Sequence, residues 1–224
     1  MFFSRYRGFV SREYNPKPVL RYSDKNRVFE ILPKRKGWIG VVDRDEWTED
    51  VIAEKLKEYD NLWVLPRFCI DNYLIIPEEL WSAFPPKQRD KVAGGQATLT
   101  SRITSDLDRW VAHGVLWSVA NPLWEGLRSL GFKDDLLNPE IALNEQKIKE
   151  TLANWHNFLE PDQIWEKFQK KHNTVSQLDI ENKLRRWVHG KKFYEGVVNH
   201  VLNDLLGQKV TSERKISIFR HSPV

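Results

Sequence analysis

The chain has 224 residues with ten Trp, a single Cys and a single Met, and a net charge of +4 at pH 7. That length is enough to bury a core without staples. One cysteine, Cys69, excludes a disulfide scaffold and any Cys-based zinc site, and no apolar run approaches the ~20 residues of a membrane span. The positive charge is concentrated in residues 1–37 and 166–192, on either side of an acidic middle. Together these features describe a soluble cytoplasmic protein with no membrane association.

In chain order, residues 2–14 place Phe2, Phe3, Tyr6, Phe9 and Val10 at helical spacing, and Asn15-Pro16-Lys17-Pro18 ends that helix. Val19–Tyr22 reads as a short strand, and Ser23 or Asp24 caps a helix running to about Leu32. Trp38-Ile39-Gly40-Val41-Val42 is an apolar run of buried-strand type that stops abruptly at Asp43-Arg44-Asp45-Glu46. Thr48 or Asp50 opens a helix to Glu58, and Leu62–Leu65 is another buried strand. Strands alternating with single helices predict a mainly parallel sheet, confined to about residues 19–76, whose ligands sit beyond the carboxyl ends of the strands.

From Pro77 the periodicity becomes helical, over 77–92, 100–119, 121–131, 140–159, 161–171 and 176–206, and Lys215–Phe219 reads as a further strand. The expected organisation is an α/β core over 1–76 and a helical elaboration over 77–224 that returns to the core near 185–224. No Gly-rich phosphate loop, Gly-x-Ser-x-Gly elbow or His-Glu-x-x-His motif is present.

Three local patterns can carry chemistry. Asp43-x-Asp45 at a strand end offers two carboxylates to one crevice, which is half of a Mg²⁺ (or Mn²⁺) site; the alternative is plain turn chemistry. Asp71 lies within the apolar run Phe68–Ile75, where an unpaired carboxylate is costly enough to need a cation or a set of donors; the alternative is that Asp71 or Asn72 caps a helix or turn. Arg185-Arg186-Trp187-Val188-His189-Gly190-Lys191-Lys192 is a basic stretch interrupted by glycine. There a lysine just after the break can face a phosphate, and the alternative is a solvated basic face.

Taken together, Gly40–Asp45, Arg67–Leu74 and His189-Gly190-Lys191 resemble a Toprim-related family of unknown function. Its members often accompany ABC-class ATPases similar to those of overcoming-lysogenisation nucleases, and some act as nuclease effectors in bacterial anti-phage defence. The resemblance implies a Toprim-like α/β fold and a Mg²⁺- or Mn²⁺-dependent phosphodiesterase cleaving DNA, tRNA or another RNA. Asp43, Asp45 and Asp71 would be its metal carboxylates and Lys191 the cation facing the transition state, with Arg44, Arg185, Arg186, His189 and Lys192 contacting nucleic acid. Asp71 stands where the family commonly has Glu. The resemblance also implies an ATPase partner and allows a homo-oligomer. The family pattern opens with a Glu-bearing strand that is missing here, so the expectation is that Met1 is an internal methionine or that the chain is a shortened relative. The competing readings are a non-catalytic subunit that binds nucleic acid or a partner, and an unrelated α/β protein whose Asp-x-Asp is a turn.

Overall fold

The computed structural model describes residues 8–11, 25–35, 37–129 and 144–221. The sheet has three strands in the order β1 (Gly8–Ser11), β2 (Trp38–Val42) and β3 (Leu62–Val64). β2 pairs parallel with β3, Gly40 opposite Leu62, and antiparallel with β1, Phe9 opposite Gly40. The sheet is therefore mixed, and its parallel character is confined to β2 and β3. The helix expected over 2–14 is corrected: Gly8–Ser11 is a strand, because its backbone supplies the ladder partners that the second edge of β2 requires. The strand expected at Val19–Tyr22 lies outside the described residues.

Helix α1 (Lys25–Ile31), a 3₁₀ turn (Leu32–Lys34) and α2 (Glu49–Glu58) accompany the strands. Thr48 caps α2 by accepting the Val51 N–H at 3.4 Å, and Glu49 and Asp50 favour its positive end. Val28, Leu32, Val42 and Leu62 form a buried cluster with Phe29, Trp38, Trp47 and Tyr59 around it. Gly40 is needed on β2 because a Cβ there would stand 2.8 Å from Leu32 Cδ1 and 2.9 Å from Val28 Cγ1, so α1 lies directly on the strand.

After β3 come a 3₁₀ turn (Ile70–Leu74), α3 (Pro77–Ala83), α4 (Pro86–Arg89), α5 (Gly95–Thr104) and α6 (Leu107–Ser129). The segment expected over 100–119 is divided between α5 and α6, and α6 runs on through Pro122 into the segment expected over 121–131. There follow α7 (Glu145–Phe158), α8 (Pro161–Ser176), α9 (Ile180–Arg186), α10 (Gly190–Phe193), a π turn (Tyr194–Val198), α11 (Asn199–Leu206) and α12 (Thr211–His221). The strand expected at Lys215–Phe219 is corrected to helix: Arg214, Lys215 and Ile218 are buried on one side of α12, a helical spacing that tertiary packing favours over the strand propensity of Ile216 and Phe219.

The chain divides into two compact units, one of residues 1–110 and 179–224 and the other of 111–178. The first holds the sheet and a core of Leu74, Ile75, Leu80, Leu99, Ile103, Leu184, Phe193 and Leu202 among others, so the segment after 179 shares a unit with the strands. In the second, Asn144 caps α7 and Glu160 caps α8, while Trp155 and Val175 are buried. Among the described residues no helix is long and apolar enough to cross a membrane.

Candidate functional site

The parallel ladder continues past β2, with the Leu65 N–H donating to Val42 O at 2.9 Å, and the next residue beyond Val42 is Asp43. Asp43 is buried at 7% exposure, and its Oδ1 accepts the Ile70 N–H at 3.0 Å. Two further backbone bonds draw three distant segments together: Asp45 N–H to Phe68 O at 2.7 Å, and Phe68 N–H to Arg185 O at 3.0 Å. Asp45 adopts a left-handed backbone at φ 49°, a conformation aspartate tolerates better than most residues, which turns the chain as it leaves the strand. Its Oδ2 receives the Lys25 ammonium at 2.8 Å, and that ammonium also lies 4.1 Å from the centre of a Trp47 ring.

The Phe68–Asn72 segment is the hub of the site. Asn72 is fully buried; its Nδ2 donates to Leu184 O at 2.7 Å and Val188 O at 2.9 Å, and its Oδ1 accepts the Cys69 N–H at 3.1 Å. Gly190 packs against this amide so closely that a Cβ would stand 2.3 Å from Asn72 Oδ1. Arg67, also buried, donates bidentately to Glu79 at 2.7 and 2.6 Å and to Asn72 O at 3.0 Å, with its guanidinium 3.9 Å from the Tyr73 ring centre. These contacts leave little freedom to the 3₁₀ turn that carries Asp71.

Asp71 is 3% exposed, and its Oδ1 takes the Lys215 ammonium of α12 at 2.5 Å. The cation that the buried carboxylate required is thus a lysine. Burial raises the Asp71 pKa, while Lys215 and, more weakly, Lys191 oppose the rise. Cys69 donates its thiol to Asn72 Oδ1 at 3.1 Å, and the Lys191 backbone N–H interacts with its sulfur. Burial, reinforced by the Asp71 and Asp43 charges, pushes the Cys69 thiol up to about 12, which makes it an inert proton-bearing group. Burial likewise pushes up the Tyr194 hydroxyl, whose ring lies 4.5 Å from Lys215 Nζ.

The structure brings Asp43, Asp45, Asp71, His189 and Lys191 to one region through the Phe68–Asn72 segment. The His189 ring lies 5.5 Å from that of Phe68, and the Lys191 charge is felt at Asp71. Arg44 and Arg186 both reach Glu49, at 2.9 and 3.2 Å, and Arg185 contacts Glu79 at 3.4 Å and also pairs with Glu181. Lys192 is exposed. Lys25, Arg67, Asn72, Glu79 and Lys215 complete the site without having been singled out as functional. The sequence signal for Lys215 was the demand Asp71 made for a partner, but nothing local identified which of the many cations would answer it.

Among the described residues, no three His, Cys, Asp or Glu side chains are grouped so as to hold a metal ion. Asp43 and Asp45 carry the oxygen donors that Mg²⁺ takes, commonly one or two protein carboxylates, with Asp45 Oδ2 also on the Lys25 ammonium. Asp71 is the less available of the two lysine-paired carboxylates, the Lys215–Asp71 side chains being 5% and 4% exposed against 13% and 20% for Lys25–Asp45. No protein-family model, curated protein or solved structure matches the chain.

Proposed function

We propose that this chain is a Toprim-like, Mg²⁺- or Mn²⁺-dependent phosphodiesterase acting on DNA or RNA in the cytoplasm. The single observation that carries the reading is convergence. Asp43 and Asp45 at the end of β2, the segment bearing Asp71, and His189 and Lys191 from the far end of the chain are joined by main-chain hydrogen bonds and the Asn72 amide. Asp43 and Asp45 would hold the ion, which when bound supplies charge neutralisation and Lewis-acid polarisation at a phosphate. Lys191 adds positive charge where a phosphodiester gains negative charge as it is cleaved. Lys25 orients Asp45, and Ile70 N–H orients Asp43. Arg44, Arg185, Arg186 and Lys192 form a basic rim for the nucleic-acid backbone, each arginine being steadied by a glutamate. An ABC-class ATPase partner, and with it a role in anti-phage defence, follows from the family resemblance alone.

Asp43→Asn keeps an oxygen to accept the Ile70 N–H while removing the charge, so the fold is expected to persist. Divalent-dependent cleavage of a mixed DNA and RNA substrate pool should be lost, with the urea midpoint unchanged. Full cleavage by a folded Asp43→Asn protein would overturn the assignment.

One observation favours a second reading, a non-catalytic nucleic-acid-binding subunit: Asp45 and Asp71 are each already neutralised by a lysine. That reading predicts no cleavage by the parent protein and nucleic-acid binding indifferent to Mg²⁺ and to Asp43→Asn. Replacing Arg185 and Arg186 together by alanine would abolish that binding.

A further inference from the structure

Lys215 does not behave as a surface lysine. Its side chain is 5% exposed and that of Asp71 4%, with Nζ and Oδ1 at 2.5 Å. The helix that carries it is fixed close by. Arg214 donates to Asn203 Oδ1 at 2.8 Å and to Gly207 O at 2.6 Å, which pins the first turn of α12 to the end of α11. Ile218, one turn further on, is buried on the same side of the helix. The ammonium also faces the Tyr194 ring at 4.5 Å, an arrangement that suits a cation with few waters around it. Lys191 and Glu195 are the other charged groups felt at Asp71, one of each sign.

We propose that the Lys215 ammonium is the built-in cation of Asp71: it fills the position a second divalent ion would take, so the site accepts no more than the one ion at Asp43 and Asp45. This deepens, and rests on, the metal-dependent reading given above. A divalent ion on Asp71 would have to displace an ammonium already in contact with Oδ1, or sit within a few ångströms of it, where like charges in a poorly solvated setting repel strongly. A surface lysine could swing away at little cost. This one is buried on a helix whose neighbouring arginine is also buried and hydrogen-bonded.

The test counts bound Mn²⁺ per chain, by equilibrium dialysis and by the electron paramagnetic resonance signal of free Mn²⁺, on the full-length protein. The parent is expected to bind no more than one ion. Lys215→Met, which keeps the unbranched stem and removes the terminal ammonium, should gain one ion over the parent. Adding Asp71→Asn to it should cancel that gain, and Asp71→Asn alone should leave the parent count unchanged. A parent count of two, no gain in folded Lys215→Met, or loss of an ion in Asp71→Asn would each overturn the proposal. A parent count of zero would instead refute the Asp43 and Asp45 metal reading, and the gain in Lys215→Met would still decide the role of Lys215.

If Lys215→Met leaves Asp71 uncompensated and unfolds, its urea transition with and without millimolar Mn²⁺ answers the same question. The proposal requires Mn²⁺ to raise the midpoint of Lys215→Met by clearly more than it raises that of Lys215→Met with Asp71→Asn, in which only the ion at Asp43 and Asp45 can contribute. Absence of that rescue would overturn it.

Discussion

Gly190→Ala is expected to be strongly destabilising, although helix propensity alone predicts the opposite. Gly190 is the first residue of α10, where alanine is intrinsically favoured by about 1 kcal/mol. The space it occupies reverses the sign. A Cβ would stand 2.3 Å from Asn72 Oδ1, 2.7 Å from its Cγ and 2.7 Å from its backbone nitrogen, so the buried amide has to move. Moving it breaks two bonds to the carbonyls of Leu184 and Val188 and one from the Cys69 N–H, all buried. At about 1 kcal/mol each, and with about 1–3 kcal/mol of overpacking, the loss is roughly 4–6 kcal/mol against that gain of about 1. Urea unfolding followed by the tryptophan fluorescence would register a midpoint lower by about 2 M for a slope of about 2 kcal/mol/M. A fall under about 0.5 M would refute the reasoning. A double-mutant cycle sharpens the test, because Asn72→Ala removes the same clasp: the double variant should cost well below the sum of the two single changes. Strict additivity would mean that glycine and amide do not act as one unit.

Arg67→Lys retains the charge but loses the fork that grips both Glu79 oxygens and the stacking on Tyr73, and a destabilisation of about 2–3 kcal/mol is expected from urea or thermal melts; a change below about 0.5 kcal/mol would show the fork to be dispensable. For Cys69, the folded-state thiol at about 12 stands above its ordinary 9.0, so the protonated thiol favours the native state: this contribution is complete below about pH 9 and is lost as pH rises toward 12. The difference in stability between parent and Cys69→Ala should therefore shrink by on the order of 3 kcal/mol between pH 8 and pH 11, most of it above pH 9, and a pH-independent difference would contradict the burial argument. In keeping with this, native Cys69 should resist thiol-specific reagents at pH 8 until the protein is unfolded.

The strand-end carboxylates were legible because their signal is local. Five residues of β2 followed by Asp43-Arg44-Asp45 announce both a buried strand and the point at which it leaves the core, and β3 follows at the spacing of a parallel neighbour. The C-terminal helix was not legible, since the alternating apolar residues Ile216 and Ile218, with Phe219 after them, carry strand propensity. Only the packing of Arg214, Lys215 and Ile218 against the rest of the unit selects the helical spacing. The first strand was missed for the complementary reason: Gly8–Ser11 is extended by its ladder with β2, a partner that aromatic residues at helical spacing do not reveal.

The glycine and the lysine of the His189-Gly190-Lys191 element illustrate a division that sequence cannot make. Gly190 reads as a break in a basic helix, yet its φ is not in the left-handed region; its role is to leave room for Asn72, which lies 118 positions earlier. Asn72 reads as a cap and is one, its Oδ1 taking the Cys69 N–H at the start of the 3₁₀ turn, while its Nδ2 ties the Arg67–Leu74 motif to the helix carrying Arg185 and Arg186. The short patterns Arg67–Leu74 and His189-Gly190-Lys191 are thus parts of one packed object. Charge follows the same logic. A buried carboxylate states that a cation must come, and the identity of that cation is fixed by the fold of the last helix rather than by anything near Asp71. The family resemblance implies Asp71 as a metal ligand, and the apolar pattern alone makes Lys215 a strand residue. At 2.5 Å apart the two form a buried ion pair, and the partner of Asp71 is set by the C-terminal helix.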